Sequence, residues 1–218
     1  MANVRPPNQP AGAPQYIRLP AGTALFRVHR AGYDACAHNP TLAHRYYGGG
    51  RFDSTLDDAY GYWYAGDSAD VAVSEYLLRD LAVHEAGTRV LEWARVAGRR
   101  LTSVETTVDL TLLSLATGIE LGALSQDTWL TTAPPRDYAQ TRHWAHWIRG
   151  HAPDAAGFRW RSFREPAGFA FVLFSDRCPT DFTVPHPVAA WGAETIDFDA
   201  DPRWVAATLL KYGVAIDV

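Results

Sequence analysis

The alternation of apolar and polar residues near the N-terminus predicts a strand. Residues 23–30, "TALFRVHR", place Phe26 and Val28 on one face and Arg27 on the other. Residues 61–65, "GYWYA", are aromatic and therefore typical of a second strand.

Three longer segments have patterns that favour helices. A helix is predicted from about residue 68 to 80, because Asp67 or Ser68 can cap its N-terminus. Residues 109–125 are mostly helical in pattern despite two glycines. Residues 135–150 carry an apolar stripe at helical spacing and predict the clearest helix of the chain.

The remaining apolar segments predict further strands. Residues 88–96 have a strand-like pattern, and residues 157–165 and 168–175 are expected to pair around a turn. Strands and helices thus follow one another in mixed order, with antiparallel pairing expected. The predicted fold class is α+β, with a mixed or antiparallel sheet and flanking helices.

The chain is expected to form one domain. Residues 1–16 are rich in Pro, Ala, Asn and Gln and predict a disordered N-terminal tail. No linker or repeat divides residues 17–218, and a chain of 218 residues can bury one sizeable core.

Composition narrows the function classes. The net charge is about −4, so the chain as a whole has no electrostatic reason to bind nucleic acid. This overall charge does not argue against a local basic pocket. Cys36 and Cys178 do not make a disulfide framework. No apolar run has signal-peptide or transmembrane character, and a cytoplasmic location is therefore expected.

Glu75 is the first candidate for chemistry. On the predicted helix its neighbours at three and four positions include Val71, Ala72 and Leu78, which are apolar. A carboxylate beside a buried face needs a partner or a function, because burying an unpaired charge is costly. Pairing with Arg79 at the helix edge is the alternative.

Arg51 is the second candidate because it follows Gly48, Gly49 and Gly50. Glycines let the backbone approach a ligand closely, and a guanidinium matches the geometry of a phosphate. A plain glycine-rich turn with a solvated arginine is the alternative. The lysine-containing phosphate loop and the dinucleotide-fold glycine spacing are both absent.

For the remaining candidate residues, the sequence pattern fits both a ligand-binding role and a purely structural role. Arg27 projects from its strand as a ligand contact or as an exposed side chain, and Ser162 lies either in a site or at a strand edge. The pattern does not rank the tyrosines near residue 62, which are more often core. His143 and His146 lie three apart on a helix without an obvious third ligand, so no metal site is predicted.

Five segments in this order resemble the RES domain family. They are "LFRVHR", "GGGRFDS", "YAGDSADVAVSE", "GFRWRSFRE" and "FVLFSDR", and together they span about residues 23–176. The resemblance implies a fold like that of ADP-ribosyltransferases and an activity that attacks NAD⁺. It also implies a bacterial toxin with an Xre-like antitoxin as its partner, and a homodimer.

The resemblance assigns roles by position. Arg27 and Arg51 are the arginines expected to hold the pyrophosphate of NAD⁺. Glu75 is expected to stabilise positive charge on the ribose. Tyr64, eleven residues before Glu75, is expected to stack on the nicotinamide or ribose, and Ser162 to hydrogen-bond to one of them.

The sequence departs from the family pattern at several positions. Asp53 stands where Asn is common, Ala65 replaces a large aliphatic residue, and "WRS" replaces Tyr-Pro-Ser at residues 160–162. Residues 97–135 also form a longer segment than in compact members. The pocket residues are all present despite these differences, but the resemblance does not predict the substrate preference or the fit of the antitoxin.

The resemblance therefore implies an enzyme that cleaves the nicotinamide–ribose bond of NAD⁺ and transfers ADP-ribose to phosphate or water. NAD⁺ is the substrate, and no cofactor is expected. The alternatives are an ADP-ribosyltransferase that modifies a protein acceptor and a non-catalytic interaction module. No direct nucleic-acid or membrane partner is expected.

Overall fold

Nine of the strands of the described residues assemble into one large sheet that carries helices on its faces. The computed structural model describes residues 5–81 and 89–217. The strands are β1 (Tyr16–Leu19), β2 (Ala24–Arg30), β3 (Tyr62–Gly66), β4 (Arg89–Glu92), β5 (Arg99–Thr106), β6 (Leu110–Ser114), β7 (Gly157–Arg161), β8 (Phe169–Phe174), β9 (Thr183–Pro185), β10 (Thr195–Asp197) and β11 (Val214–Asp217). The helices are α1 (Ala69–Leu77), α2 (Gly118–Ala123), α3 (Trp129–Thr132), α4 (Tyr138–His151) and α5 (Pro202–Leu210).

The sheet is mixed. Its strand order is β1-β6-β7-β8-β3-β2-β5-β10, with β9 also paired to β5. Strands β6 and β7 run parallel, and the other neighbours in this sheet are antiparallel. Strands β4 and β11 form a separate parallel pair. The predicted α+β class with a mixed sheet and flanking helices is confirmed.

Helix α1 packs closely on the centre of this sheet. Phe26 of β2 pairs with Gly66 of β3, so both lie on the face that α1 covers. A Cβ at Gly66 would lie 2.6 Å from Cγ1 of Val71. The missing side chain therefore allows the helix that carries Glu75 to approach β3.

The predicted start of this helix is correct, but the helix is shorter than expected. Ser68 caps it by accepting a hydrogen bond from the Val71 amide at 3.2 Å. Asp67 instead accepts a hydrogen bond from the Phe169 amide at 2.9 Å. The helix ends at Leu77 rather than at residue 80.

The prediction of a helix over residues 109–125 is wrong for its first half. Leu110–Ser114 form strand β6 between β1 and β7, and only Gly118–Ala123 are helical. Leu112 and Leu113 point to opposite faces of the sheet and are both fully buried. A strand buried on both faces has no alternating pattern and resembles a short helix.

The other predicted elements are present, but some of them begin or end at residues other than the predicted ones. The segment predicted as a strand over 88–96 is strand only at Arg89–Glu92, followed by a 3₁₀ turn, and residue 88 lies outside the described residues. Helix α4 begins at Tyr138 after a 3₁₀ turn. Strands β7 and β8 form the predicted antiparallel pair.

The N-terminal segment contacts the domain before β1 begins. The amides of Ala11 and Gly12 donate hydrogen bonds to Ser125 Oγ and to the Ala123 carbonyl, at 3.1 and 2.8 Å. Tyr16, assigned to the tail by composition, is the first residue of β1. Residues 1–4 lie outside the described residues. In the described part of the chain, no helix combines the length and the apolar character that crossing a membrane requires.

Candidate active site

The carboxylate of Glu75 is held in a fixed orientation by the loop after β7. Its Oε1 accepts one hydrogen bond from Ser162 Oγ at 2.7 Å and another from the Phe163 amide at 2.9 Å. Ser162 is almost fully buried, whereas Glu75 is half-buried on α1. Two donors on one oxygen restrict how the carboxylate can turn, which leaves Oε2 as the oxygen available to a ligand.

The alternative of a Glu75–Arg79 ion pair does not hold in this structure. Arg79 pairs with its neighbour Asp80, with Nε to Oδ1 at 3.0 Å. Within residues 5–81 and 89–217, no cation lies within ion-pair distance of Glu75. The carboxylate is therefore oriented by neutral donors rather than neutralised by a cation.

Arg51 is buried rather than solvated. Its Nη1 donates to the carbonyls of Ala133 at 3.1 Å and Leu130 at 3.3 Å, and its guanidinium lies 5.0 Å from the centre of the Tyr138 ring. In the described part of the chain, no carboxylate lies within ion-pair distance of Arg51. A buried cation held only by neutral groups suits an anionic ligand.

The three glycines before Arg51 are required by the shape of their loop. Gly48 and Gly49 have φ of +57° and +74°, which favour glycine. A Cβ at Gly50 would lie 2.5 Å from Oδ1 of Asp53 and 3.2 Å from the hydroxyl of Tyr64. The loop can therefore approach Asp53 and Tyr64 only without side chains.

Asp53 connects this loop to Tyr64. Its Oδ2 accepts a hydrogen bond from the Gly50 amide at 2.6 Å, and its Oδ1 accepts one from the Tyr64 hydroxyl at 2.9 Å. The same hydroxyl accepts from the Phe52 amide at 2.9 Å. Burial, and then the nearby Asp53 carboxylate, raise the pKa of Tyr64 well above its usual range. Tyr64 thus supports the loop of Arg51 through its neutral hydroxyl.

Arg51 and Glu75 line the same cavity, which is open to solvent and has a volume of about 210 Å³. Its charged groups are three arginines and one glutamate, so the cavity is net positive. Two aromatic rings also line the cavity. The residues that carry these groups are Arg51, Arg79, Arg164, Glu75, Tyr138 and Phe163.

Four of these residues were not singled out as site residues by the sequence. Tyr138 lies in the apolar stripe predicted for α4, but its hydroxyl is 3.5 Å from Nη2 of Arg51. Arg164 donates to the carbonyls of Arg79 and Leu81, and its buried Nε has no hydrogen-bond partner within the described residues. Arg79, Phe163 and Arg164 are close in sequence to Glu75 or Ser162, whereas Tyr138 is distant from both and reaches the site through contacts between distant segments.

The structure does not bring Arg27 to this cavity. Arg27 lies on the opposite face of β2 from Phe26, where its guanidinium is 5.3 Å from the centre of the Trp63 ring. Its Nη1 donates to the carbonyls of Ala35 at 2.9 Å and Ala37 at 2.7 Å. Burial lowers the pKa of Arg27 to about 10. The expectation that Arg27 and Arg51 hold one pyrophosphate together is not supported by this arrangement.

Comparisons with known proteins give a family and a fold. The family model described as "RES domain" matches residues 24–201 of the chain. A solved chain from the crystal structure of the M. tuberculosis MbcT–MbcA toxin–antitoxin complex is similar in structure, with a TM-score of 0.53 and 16% sequence identity over 83% of this chain and 86% of that chain. At this identity the likeness concerns the fold. No curated protein matches the chain in sequence.

Proposed function

The chain belongs to the RES domain family, and from this membership and the cavity around Glu75 we propose that it is a toxin that consumes NAD⁺. In this proposal the enzyme cleaves the bond between nicotinamide and ribose and passes ADP-ribose to phosphate or water. The observation that carries the proposal is that Arg51 and Glu75 line one cavity, with Glu75 fixed by Ser162 and Phe163.

The charge of the cavity supports an anionic substrate. Arg51, Arg79 and Arg164 line it with a single carboxylate. The guanidinium of Arg51 presents a planar set of donors, and such donors match phosphate oxygens. The pyrophosphate of NAD⁺ supplies these oxygens, while Tyr138 or Phe163 offers a ring against which nicotinamide can stack.

Glu75 supports the cleavage step. When the bond from ribose C1′ to the nicotinamide nitrogen breaks, its electron pair leaves with nicotinamide and positive charge develops on the ribose. A carboxylate whose position is already fixed stabilises this charge more than it stabilises the ground state. Nicotinamide leaves as a neutral molecule, so the step needs no strong general acid. Phosphate, or water with release of one proton to solvent, then forms the new bond to C1′.

The proposal also includes an Xre-like antitoxin as protein partner, as the family resemblance implies, and the cytoplasmic location that the sequence predicts. The similar fold of a chain from a toxin–antitoxin complex agrees with a toxin role. The main alternative keeps the same cavity but transfers ADP-ribose to a protein.

The test is product analysis by mass spectrometry. The purified protein is incubated with NAD⁺, with and without inorganic phosphate, beside the variants Glu75→Gln and Glu194→Gln. Glu194 is an exposed carboxylate next to β10 and serves as the matched control. Loss of NAD⁺ with release of nicotinamide is expected for the unaltered protein and for Glu194→Gln only.

The products then identify the acceptor. Phosphorylated ADP-ribose that forms only with phosphate identifies a phosphorylase, and free ADP-ribose identifies a glycohydrolase. Intact NAD⁺ in every tube would contradict the proposal. A repeat with cell lysate and labelled NAD⁺ would then test the protein acceptor, since a transferase would attach the label to protein.

A further inference from the structure

The cavity is too small for a whole dinucleotide. Its volume of about 210 Å³ lies below the roughly 300–1,000 Å³ of pockets that enclose drug-sized ligands. If the end of NAD⁺ that reacts lies beside Glu75, the adenosine half must rest on the surface outside the cavity. A binding site for the adenosine half is therefore expected on the surface next to Arg51.

Three exposed aromatic side chains stand on the segment that leads to Arg51. The ring centre of His44 lies 4.9 Å from that of Tyr47, with nearly parallel planes, and 5.9 Å from that of Tyr46. Tyr46 and Tyr47 are 69% and 73% exposed. We call residues 44–47 the aromatic loop. Its rings present flat apolar surface to solvent.

Arg142 fixes the backbone of this loop. It is almost fully buried, and it donates hydrogen bonds to the carbonyls of His44 at 2.8 Å, Gly48 at 2.7 Å and Gly50 at 3.2 Å. The Ala43 amide also donates to the Ser54 carbonyl at 2.8 Å. A fixed backbone lowers the entropy lost when the rings bind a ligand.

Helix α4 connects the aromatic loop to the wall of the cavity. Tyr138 lines the cavity and Arg142 holds the loop, and the two residues are one helical turn apart on α4. Side chains four positions apart lie about 5–6 Å from each other on a helix surface. The loop is therefore within reach of the far half of a ligand whose near half contacts Arg51.

We propose that the aromatic loop is the subsite for the adenine ring of the substrate. The inference rests on the proposed function, because it assigns the half of NAD⁺ that the cavity cannot hold. Purine bases stack on tyrosine and histidine rings whatever their hydrogen-bonding edge. Arg51 follows the loop by four residues and lines the same cavity as Glu75, so in this proposal it contacts the pyrophosphate that joins the two halves.

The test compares two substrates with the same scissile bond. Nicotinamide mononucleotide contains the nicotinamide–ribose bond but lacks adenine. The double variant Tyr46→Ala/Tyr47→Ala is expected to lower kcat/KM for NAD⁺ by about 10-fold, and for the mononucleotide far less. The variant Tyr46→Phe/Tyr47→Phe keeps the rings and is expected to lose far less of the kcat/KM for NAD⁺ than the alanine variant.

Tyr33→Ala is the matched control, because Tyr33 is 65% exposed on a different loop. An equal loss for both substrates, or no loss for NAD⁺, would overturn the inference while leaving the proposed function intact. Absence of any NAD⁺ consumption by the unaltered protein would instead count against the proposed function.

Direct binding of ADP gives a readout that does not depend on turnover. ADP contains adenine and a pyrophosphate but no nicotinamide. Calorimetry with the Glu75→Gln protein should detect ADP binding, and adding Tyr46→Ala/Tyr47→Ala should weaken it by about 10-fold. Unchanged affinity, or no ADP binding at all, would contradict an adenine subsite on this loop.

Discussion

The Oγ of Ser162 lies 2.7 Å from Oε1 of Glu75 and donates a hydrogen bond to it. This contact joins α1 to the loop after β7, across 87 positions of sequence. The family resemblance suggested that Ser162 contacts the substrate. In the structure Ser162 orients the carboxylate that we propose stabilises the transition state.

Ser162→Ala should therefore lower kcat and leave KM nearly unchanged. The Phe163 amide remains as a single donor to Glu75, and loss of one hydrogen bond to a charged group corresponds to a fall in kcat of about 10- to 100-fold. Steady-state kinetics with NAD⁺ would check this. A raised KM with an unchanged kcat would show that the serine binds the substrate directly.

Arg51→Lys should cost both activity and stability. Lysine keeps the charge, but a single ammonium cannot replace the planar set of donors that reaches Leu130, Ala133 and a phosphate. We expect kcat/KM to fall by about 100-fold and the free energy of unfolding to fall by about 1–3 kcal/mol. NAD⁺ kinetics and urea denaturation measure the two effects. Arg136→Lys, at a side chain that is 82% exposed, should change neither.

Gly50→Ala should disrupt the loop that carries Arg51. The added Cβ would lie 2.5 Å from Oδ1 of Asp53, so the Asp53–Tyr64 contact must move. We expect most of the NAD⁺ consumption to be lost. Gly122→Ala is the matched control, because nothing lies within 4 Å of its Cβ and it stands inside α2. That change should stabilise the protein by up to about 1 kcal/mol, and a Gly50→Ala protein with the parent activity would contradict the account.

His38 should make stability depend on pH between about 6.5 and 4. Burial, and then the charge of Arg27, lower the pKa of His38 from 6.5 to about 4. In this window the unfolded chain binds more protons than the folded protein, so the free energy of unfolding falls as the pH falls. Urea denaturation at pH 7 and pH 5 would measure the loss. His38→Gln should reduce the difference between the two values, and an unchanged difference would contradict this assignment.

The sequence predicted the elements whose patterns are local. Apolar and polar residues alternate along β2 because one face of the strand packs against α1, whereas the opposite face carries the polar residue Arg27. Ser68 marks the start of α1 by its side-chain cap. Strand β6 was missed because both of its faces are apolar, although Thr117 and Glu120 form a capping box that marks where α2 begins.

The candidate site could be predicted only in part, because some of its residues are marked by local sequence patterns and others only by contacts between distant segments. Glu75 stood out because a carboxylate lay among apolar helix neighbours, and Arg51 because glycines preceded it. Tyr138 and Arg164 gave no such signal, since their positions beside Arg51 and Arg79 depend on contacts between distant segments. Arg27 was placed with Arg51 by motif, but strand alternation sends it to the other face of β2.

Turnover and NAD⁺ binding measured together in Glu75→Gln test whether this carboxylate acts on the transition state. Glutamine is close in shape and can still accept hydrogen bonds from Ser162 and Phe163, so the fold and NAD⁺ affinity should stay near those of the parent. We expect a loss of turnover of at least about 100-fold, with a dissociation constant for NAD⁺ within about threefold of the parent value. Consumption of NAD⁺ at the parent rate would show that Glu75 does not act on the transition state.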